Sequence, residues 1–159
     1  MKSKFLLLLV CMPFFVFSQG KKASDYNYEV QFLRTGIRGT ELFKVFTYGK
    51  NEKECFELAK EDAVRAILFK GIPGSGSGYA MVTDPEALTK FSDYFKNFFG
   101  SSGKYLNYVA ISNDGSIAEE DRLKVGKKYK IGVIVSVQKS ALRKELEAAG
   151  VIKKLDDGF

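Results

Sequence analysis

The sequence contains no histidine. A Ser-His-Asp triad, a Cys-His dyad, general-base catalysis by imidazole and the usual zinc ligand sets are therefore excluded. Cysteine is scarce, with Cys11 and Cys55 alone. Cys11 lies in an N-terminal apolar run that reads as a removable signal. Its removal leaves Cys55 without an intrachain partner, so the fold must hold by packing. No solenoid-period repeat, coiled-coil heptad or long low-complexity block occurs. Carboxylates, lysines and aromatic rings remain as the chemical repertoire, and nothing calls for a cofactor.

Lys2 and Lys4 precede the apolar run "FLLLLVCMPFFVF" (Phe5 to Phe17), and Val16 and Ser18 supply small residues for a signal-peptidase cut. The run falls short of the about 20 apolar residues of a spanning helix. Cys11 follows bulky Val10 and is itself followed by further apolar residues, unlike a lipidation site. Residues 1–18 are therefore read as an export signal, 19–25 as a disordered leader, 26–152 as one domain and 153–159 as a C-terminal tail. The protein is expected in the periplasm, at the outer membrane or outside the cell. Loss of Lys2 and Lys4 lowers the formal charge from +6 to +4. So mild a balance marks a solvated surface, not a nucleic-acid binder.

The predicted class is α+β: one domain with a mainly antiparallel sheet of about four strands and two to three helices on one face. Tyr26, Tyr28, Val30 and Phe32 alternate with polar residues and "TELFKVFTYG" follows the glycines of "GIRG", which together predict a β-hairpin. A helix is expected over 52–70, capped by Asn51, stopped by Gly71 and apolar along Phe56, Ala59, Ala63, Ala66 and Ile67. Cys55 sits at the edge of that stripe and reads as a small buried thiol. "KYLNYVAIS" predicts a third strand and "YKIGVIVSV" a buried one. A last helix is expected over 140–149, capped by Ser140 and ended by Gly150.

"GIPGSGSGYA" (Gly71 to Ala80) invites a phosphate-loop reading. The P-loop lysine is missing, since no lysine occurs between Lys70 and Lys90. The loop also leaves a helix C-terminus, where the dipole disfavours an anion. It reads as a flexible connector, and no nucleotide partner is expected.

A second helix is expected over 84–99. Leu88, Phe91, Tyr94, Phe95, Phe98 and Phe99 fall within an arc of roughly 140° on it. Such a face packs on a sheet, or else docks on a partner through Phe91, Phe95 and Phe98. Lys124, Lys127, Lys128 and Lys130 cluster in "KVGKKYK". They suit edge protection of a strand, or contact with an anionic glycan, lipid headgroup or acidic partner. Glu119, Glu120 and Asp121 are adjacent, so they diverge and make no facing catalytic pair. "NDGSIAEED" offers oxygen ligands, but its spacing departs from a calcium loop.

The export signal, the strand hairpin, "AKEDAVRAILF" and "VGKKYKIGVIVSVQKSALRKEL" together resemble exported bacterial envelope proteins of the lipoprotein-20 and flagellar T-ring N-terminal-domain type, over roughly Tyr26 to Val137. The resemblance implies an alanine-rich helix on an antiparallel sheet, in binding or assembly modules without catalytic residues. The Gly-Ser loop and the aromatic helix are additions to that pattern. The signal ending in "FSQ" is similar to those of exported Bacteroidetes-type proteins. The expected function is a non-catalytic envelope interaction or assembly module with a protein partner, any membrane contact being peripheral and a homo-oligomer left open. The alternative is a binder of anionic glycan or peptidoglycan through the lysines. A carboxylate-based, histidine-free hydrolase is the remote one. No metal is expected.

Overall fold

The alternation after Tyr28 folds as strand β1 (Glu29–Thr35), followed by β2 (Thr40–Gly49). This computed structural model describes residues 28–76, 78–112 and 116–154. The expected signal, leader and most of the tail thus lie outside the described residues. Arg38 and Gly39 turn the hairpin with φ of 54° and 72°. A Cβ on Gly39 would collide with the Ser140 side chain, so glycine is required there for space as well as for φ.

Helix α1 (Glu52–Arg65) starts as expected. The Asn51 side chain accepts from the Glu54 N–H at 2.9 Å, and Glu52 and Glu54 sit in the positive first turn. The helix continues as a π turn over Ala66–Lys70 and stops at Gly71, with φ 76°. The helix expected over 84–99 is two short ones, α2 (Ala87–Lys90) and α3 (Ser92–Phe98), broken at Phe91. The expected third strand shrinks to β3 (Val109–Ile111), because Lys104–Asn107 coils into a 3₁₀ turn. Then come β4 (Arg122–Val125), β5 (Lys128–Gln138) and α4 (Lys139–Ala148). Ser140 does not cap α4, which begins one residue earlier. Gly150 ends it with φ 70°, and buried Val151 donates back to the Leu146 carbonyl at 2.9 Å.

The sheet is antiparallel throughout, ordered β1-β2-β5, with β3 and β4 end to end along the far edge of β5. Among the described residues it has five strands, in keeping with the about four expected, in a single α+β domain. The inner faces of β2 and β5 place Phe43 opposite Val135 and Val45 opposite Val133. These side chains, with Ile131 and Val137, are sealed from water. Each contributes about 1.5–3 kcal/mol on burial. Ala59 and Ala63 of α1 are fully buried in the same core, and their small size lets the helix lie close. The buried Asp62 carboxylate accepts from the Thr47 hydroxyl at 3.0 Å, which spares both groups an unmet desolvation cost. The opposite sheet face carries half-buried Lys44, Phe46, Tyr48 and Lys130.

Candidate functional site

The Gly-Ser stretch is not a free connector. The π turn ends α1 with unmet carbonyls at Ile67 and Leu68, and these accept from the Met81 and Val82 N–H groups at 3.0 and 2.9 Å. Residues 71–76 and 78–85 thus form a strap laid back along the end of the helix. Ser75 pins its middle. Only 2% exposed, its hydroxyl donates to the Glu41 carboxylate on the inner face of β2. Lys139, the first residue of α4, donates to Ser75 Oγ at 3.0 Å and to Glu41 Oε1 at 3.3 Å. Gly76 leaves room for that lysine, since a Cβ there would lie 2.7 Å from Nζ.

A serine beside a lysine is the outline of a nucleophile and its base. The hydrogen bonds run the other way. An ammonium that donates to the hydroxyl and to a carboxylate is a donor, whereas a Ser-Lys nucleophile needs an amine that accepts. The serine proton is already directed at Glu41. The trio is a clamp that holds the strap down.

Among the described residues, hollows that share lining residues follow the strap. One of about 290 Å³ lies between Thr35, Gly39, Tyr79, Lys139 and Arg143. A second of about 780 Å³ runs from Ala80 and Met81 past Lys90 and Phe91 to Lys154. The third, about 540 Å³, lies between Phe69, Tyr79 and Leu88. Several of their charges are paired, Lys139 with Glu41, Arg143 with Glu147 at 2.9 Å and Lys90 with Asp84 at 2.9 Å, and Lys153 and Lys154 add positive charge to the second. Hydrogen bonding to Lys90 holds the Asp84 carboxyl below its usual range. Tyr79, which lines the first hollow, is 80% exposed; Ile37, in the turn between the lining residues Thr35 and Gly39, is 81% exposed.

A second polar cluster is built around Glu145 of α4. It accepts from Lys104 at 3.0 Å and from the Tyr108 hydroxyl at 3.1 Å, and Tyr94 Oη stands 3.5 Å away. The Lys104 hydrogen bond, ahead of the other contributions, lowers the Glu145 carboxyl from its usual value. Burial, with Glu145 second, raises the Tyr94 phenol far above its own. Burial likewise pushes Tyr105 up to about 12. Tyr94, Lys104 and Tyr108 thereby tie α3 and the 3₁₀ turn to α4.

The expected site residues are dispersed. Phe95 and Phe98 are 5% and 1% exposed, in a stack with Phe69, Tyr94 and Tyr108, so they form core rather than a docking face. Phe91 is half-buried and lines the second hollow. Lys124 lies on β4, Lys127 in the turn and Lys128 and Lys130 on β5, so register divides the lysines between two sheet faces. Lys130 is engaged, 3.7 Å from the Glu29 carboxylate and 4.9 Å from the Phe46 ring centre. Cys55 is fully buried, and burial raises its thiol above the usual value. Asp121 bridges to Lys44 at 2.7 Å. Residues 113–115 of the calcium-like stretch lie outside the described residues. Among the described residues no group of three acidic, histidine or cysteine side chains could hold a metal. None of their helices is long and apolar enough to cross a membrane.

Comparison with protein-family models, curated proteins and solved structures finds no match. The residues that sequence reasoning missed are Glu41, Ser75 and Lys139. One signal was present: Glu41 shares the inward phase of Phe43, Val45 and Thr47, so a carboxylate was bound to be buried there and to need a donor.

Proposed function

We propose that this protein is a non-catalytic, exported interaction module of the cell envelope, and that it binds an apolar segment of a partner protein along the strap. The observation that carries the reading is exposure beside one hollow: Tyr79, which lines it, stands 80% exposed, and Ile37, in the turn between its lining residues Thr35 and Gly39, stands 81% exposed. Large apolar side chains grouped at a concave surface mark contact sites. The charges of the hollow already neutralise one another, so an uncharged side chain fits it better than an ion does. The clamp supports this use, because a strap held rigid by Ser75 loses little freedom when a partner binds.

The test is retention of envelope proteins on the tagged, exported protein at low and high salt. A partner should survive high salt, be lost with Ile37→Ser/Tyr79→Ser and be kept with Lys124→Ser/Lys127→Ser. Retention unaffected by the Ile37 and Tyr79 substitutions would remove the strap from the interface.

A further inference from the structure

A separate surface carries a second kind of contact. We infer that the β4–β5 hairpin docks on an anionic lipid surface, its lysines meeting headgroups while Leu123 and Val125 sit at the headgroup boundary. The antiparallel register pairs Leu123 with Lys130 and Val125 with Lys128. Directly opposed residues share a face, so one face of the hairpin sets two aliphatic side chains beside two cations. Leu123 is 59% exposed and Val125 45%. Lys127, in the turn, and Lys124, on the reverse face of β4, add charge at the same end.

Three neighbouring acids are already engaged, Glu29 with Lys130, Glu52 with Arg122 and Asp121 with Lys44, while Glu119 and Glu120 stand exposed just before β4, at the end of that strand away from the lysine-bearing turn. Lys124, Lys127 and Lys128 have no ion-pair partner among the described residues. Strand-edge protection accounts for lysines on β4. It does not account for Leu123 and Val125 standing in water between them. A soluble polyanion would reward only the charges. An anionic bilayer rewards both, since interfacial binding combines buried apolar area with attraction to headgroups, and lysine stems reach outward from an apolar footing.

The test is sedimentation of the exported protein with vesicles of phosphatidylcholine plus phosphatidylglycerol, and with phosphatidylcholine alone. All comparisons are between variants of one chain, so any membrane affinity of residues 1–18 is common to them. Lys127→Ser and Lys128→Ser should each weaken binding to the anionic vesicles about fivefold. Leu123→Ser/Val125→Ser should weaken it about tenfold, with no such differences on neutral vesicles. These positions are exposed, and unchanged circular dichroism confirms folding. Ile37→Ser/Tyr79→Ser should leave vesicle binding intact, which separates this inference from the strap reading. Undiminished binding by the Leu123/Val125 variant would overturn it. So would equal affinity for dextran sulfate, which would assign the hairpin to a glycan. A lipid-free dimer abolished by the same two substitutions would overturn it in favour of a second copy.

Discussion

Replacing Phe98 by alanine should destabilise the protein by about 4 kcal/mol. The ring is 1% exposed, with centres 5.5 Å from Tyr94, 5.0 Å from Phe99, 6.4 Å from Tyr105 and 6.5 Å from Tyr108. A buried aromatic side chain removes about 150–250 Å² from water. At about 25 cal/mol per Å² that corresponds to about 4–6 kcal/mol. The figure is an upper bound, because a real unfolded chain hides part of this area and alanine keeps some of it. Core Phe→Ala changes run about 3–5 kcal/mol, so about 4 is the working value. That is a large share of a domain's about 5–15 kcal/mol. Urea unfolding followed by circular dichroism measures it directly. With a slope near ~2 kcal/mol/M, the midpoint should fall by about 2 M. Lys96→Ala, on the exposed side of the same helix, should change stability by less than about 0.5 kcal/mol. Phe98→Leu keeps most of the volume and should lose about 1 kcal/mol, which covers an alanine variant that fails to fold. A loss below about 1 kcal/mol for Phe98→Ala, at unchanged slope, would refute the placement of this ring in the core.

Ser75→Ala leaves buried Glu41 with one donor fewer and should cost about 1–3 kcal/mol. Hydrogen exchange should quicken across residues 71–80 before it quickens in α1, and unchanged exchange there would dismiss the clamp. Glu145 has a carboxyl lowered in the folded state, chiefly by its Lys104 hydrogen bond. Its stabilising contribution is therefore complete above the ordinary glutamate value and lost as pH falls through the lowered one. The native chain should exceed Glu145→Gln in stability at neutral pH, with the gap closing in acid; a gap independent of pH would contradict the charged reading. Cys55 is buried with a raised thiol, so iodoacetamide should label it slowly in the native protein and rapidly in urea, whereas fast native labelling would place it at the surface.

What could be read from the chain tracks how local its cause is. Helix α1 was legible because Asn51, the alanine spacing and Gly71 each act within a turn or two. Strand β5 was legible because its residues are buried on the inner face almost without a break. Strand β4 was not, since all four of its residues are exposed and burial imposes no alternation on them. The break at Phe91 and the coiling of Lys104–Asn107 answer to how Phe95, Phe98 and Tyr105 stack, a packing outcome with no local marker. The clamp was least legible. Ser75 meets Glu41 across 34 positions of sequence and Lys139 across 64. The glycines flanking Ser75 look like freedom in a linear reading. In the fold they let the backbone approach Lys139 and Phe32. The lysines of the hairpin were visible as a cluster, but only the register showed which of them share a face with Leu123 and Val125.

Strand β5 is bonded to β2 on one side and to both β3 and β4 on the other. A chain growing from its N-terminus therefore has one paired hairpin, β1 with β2, until residues 128–138 arrive. A lone hairpin is marginal in water, and β2 must await a partner lying far downstream, with the entropy of closing that span still to be met. The sheet behaves as an arch whose keystone is set last. Beyond the first hairpin, no part of the sheet can lock before residues 128–138 are made.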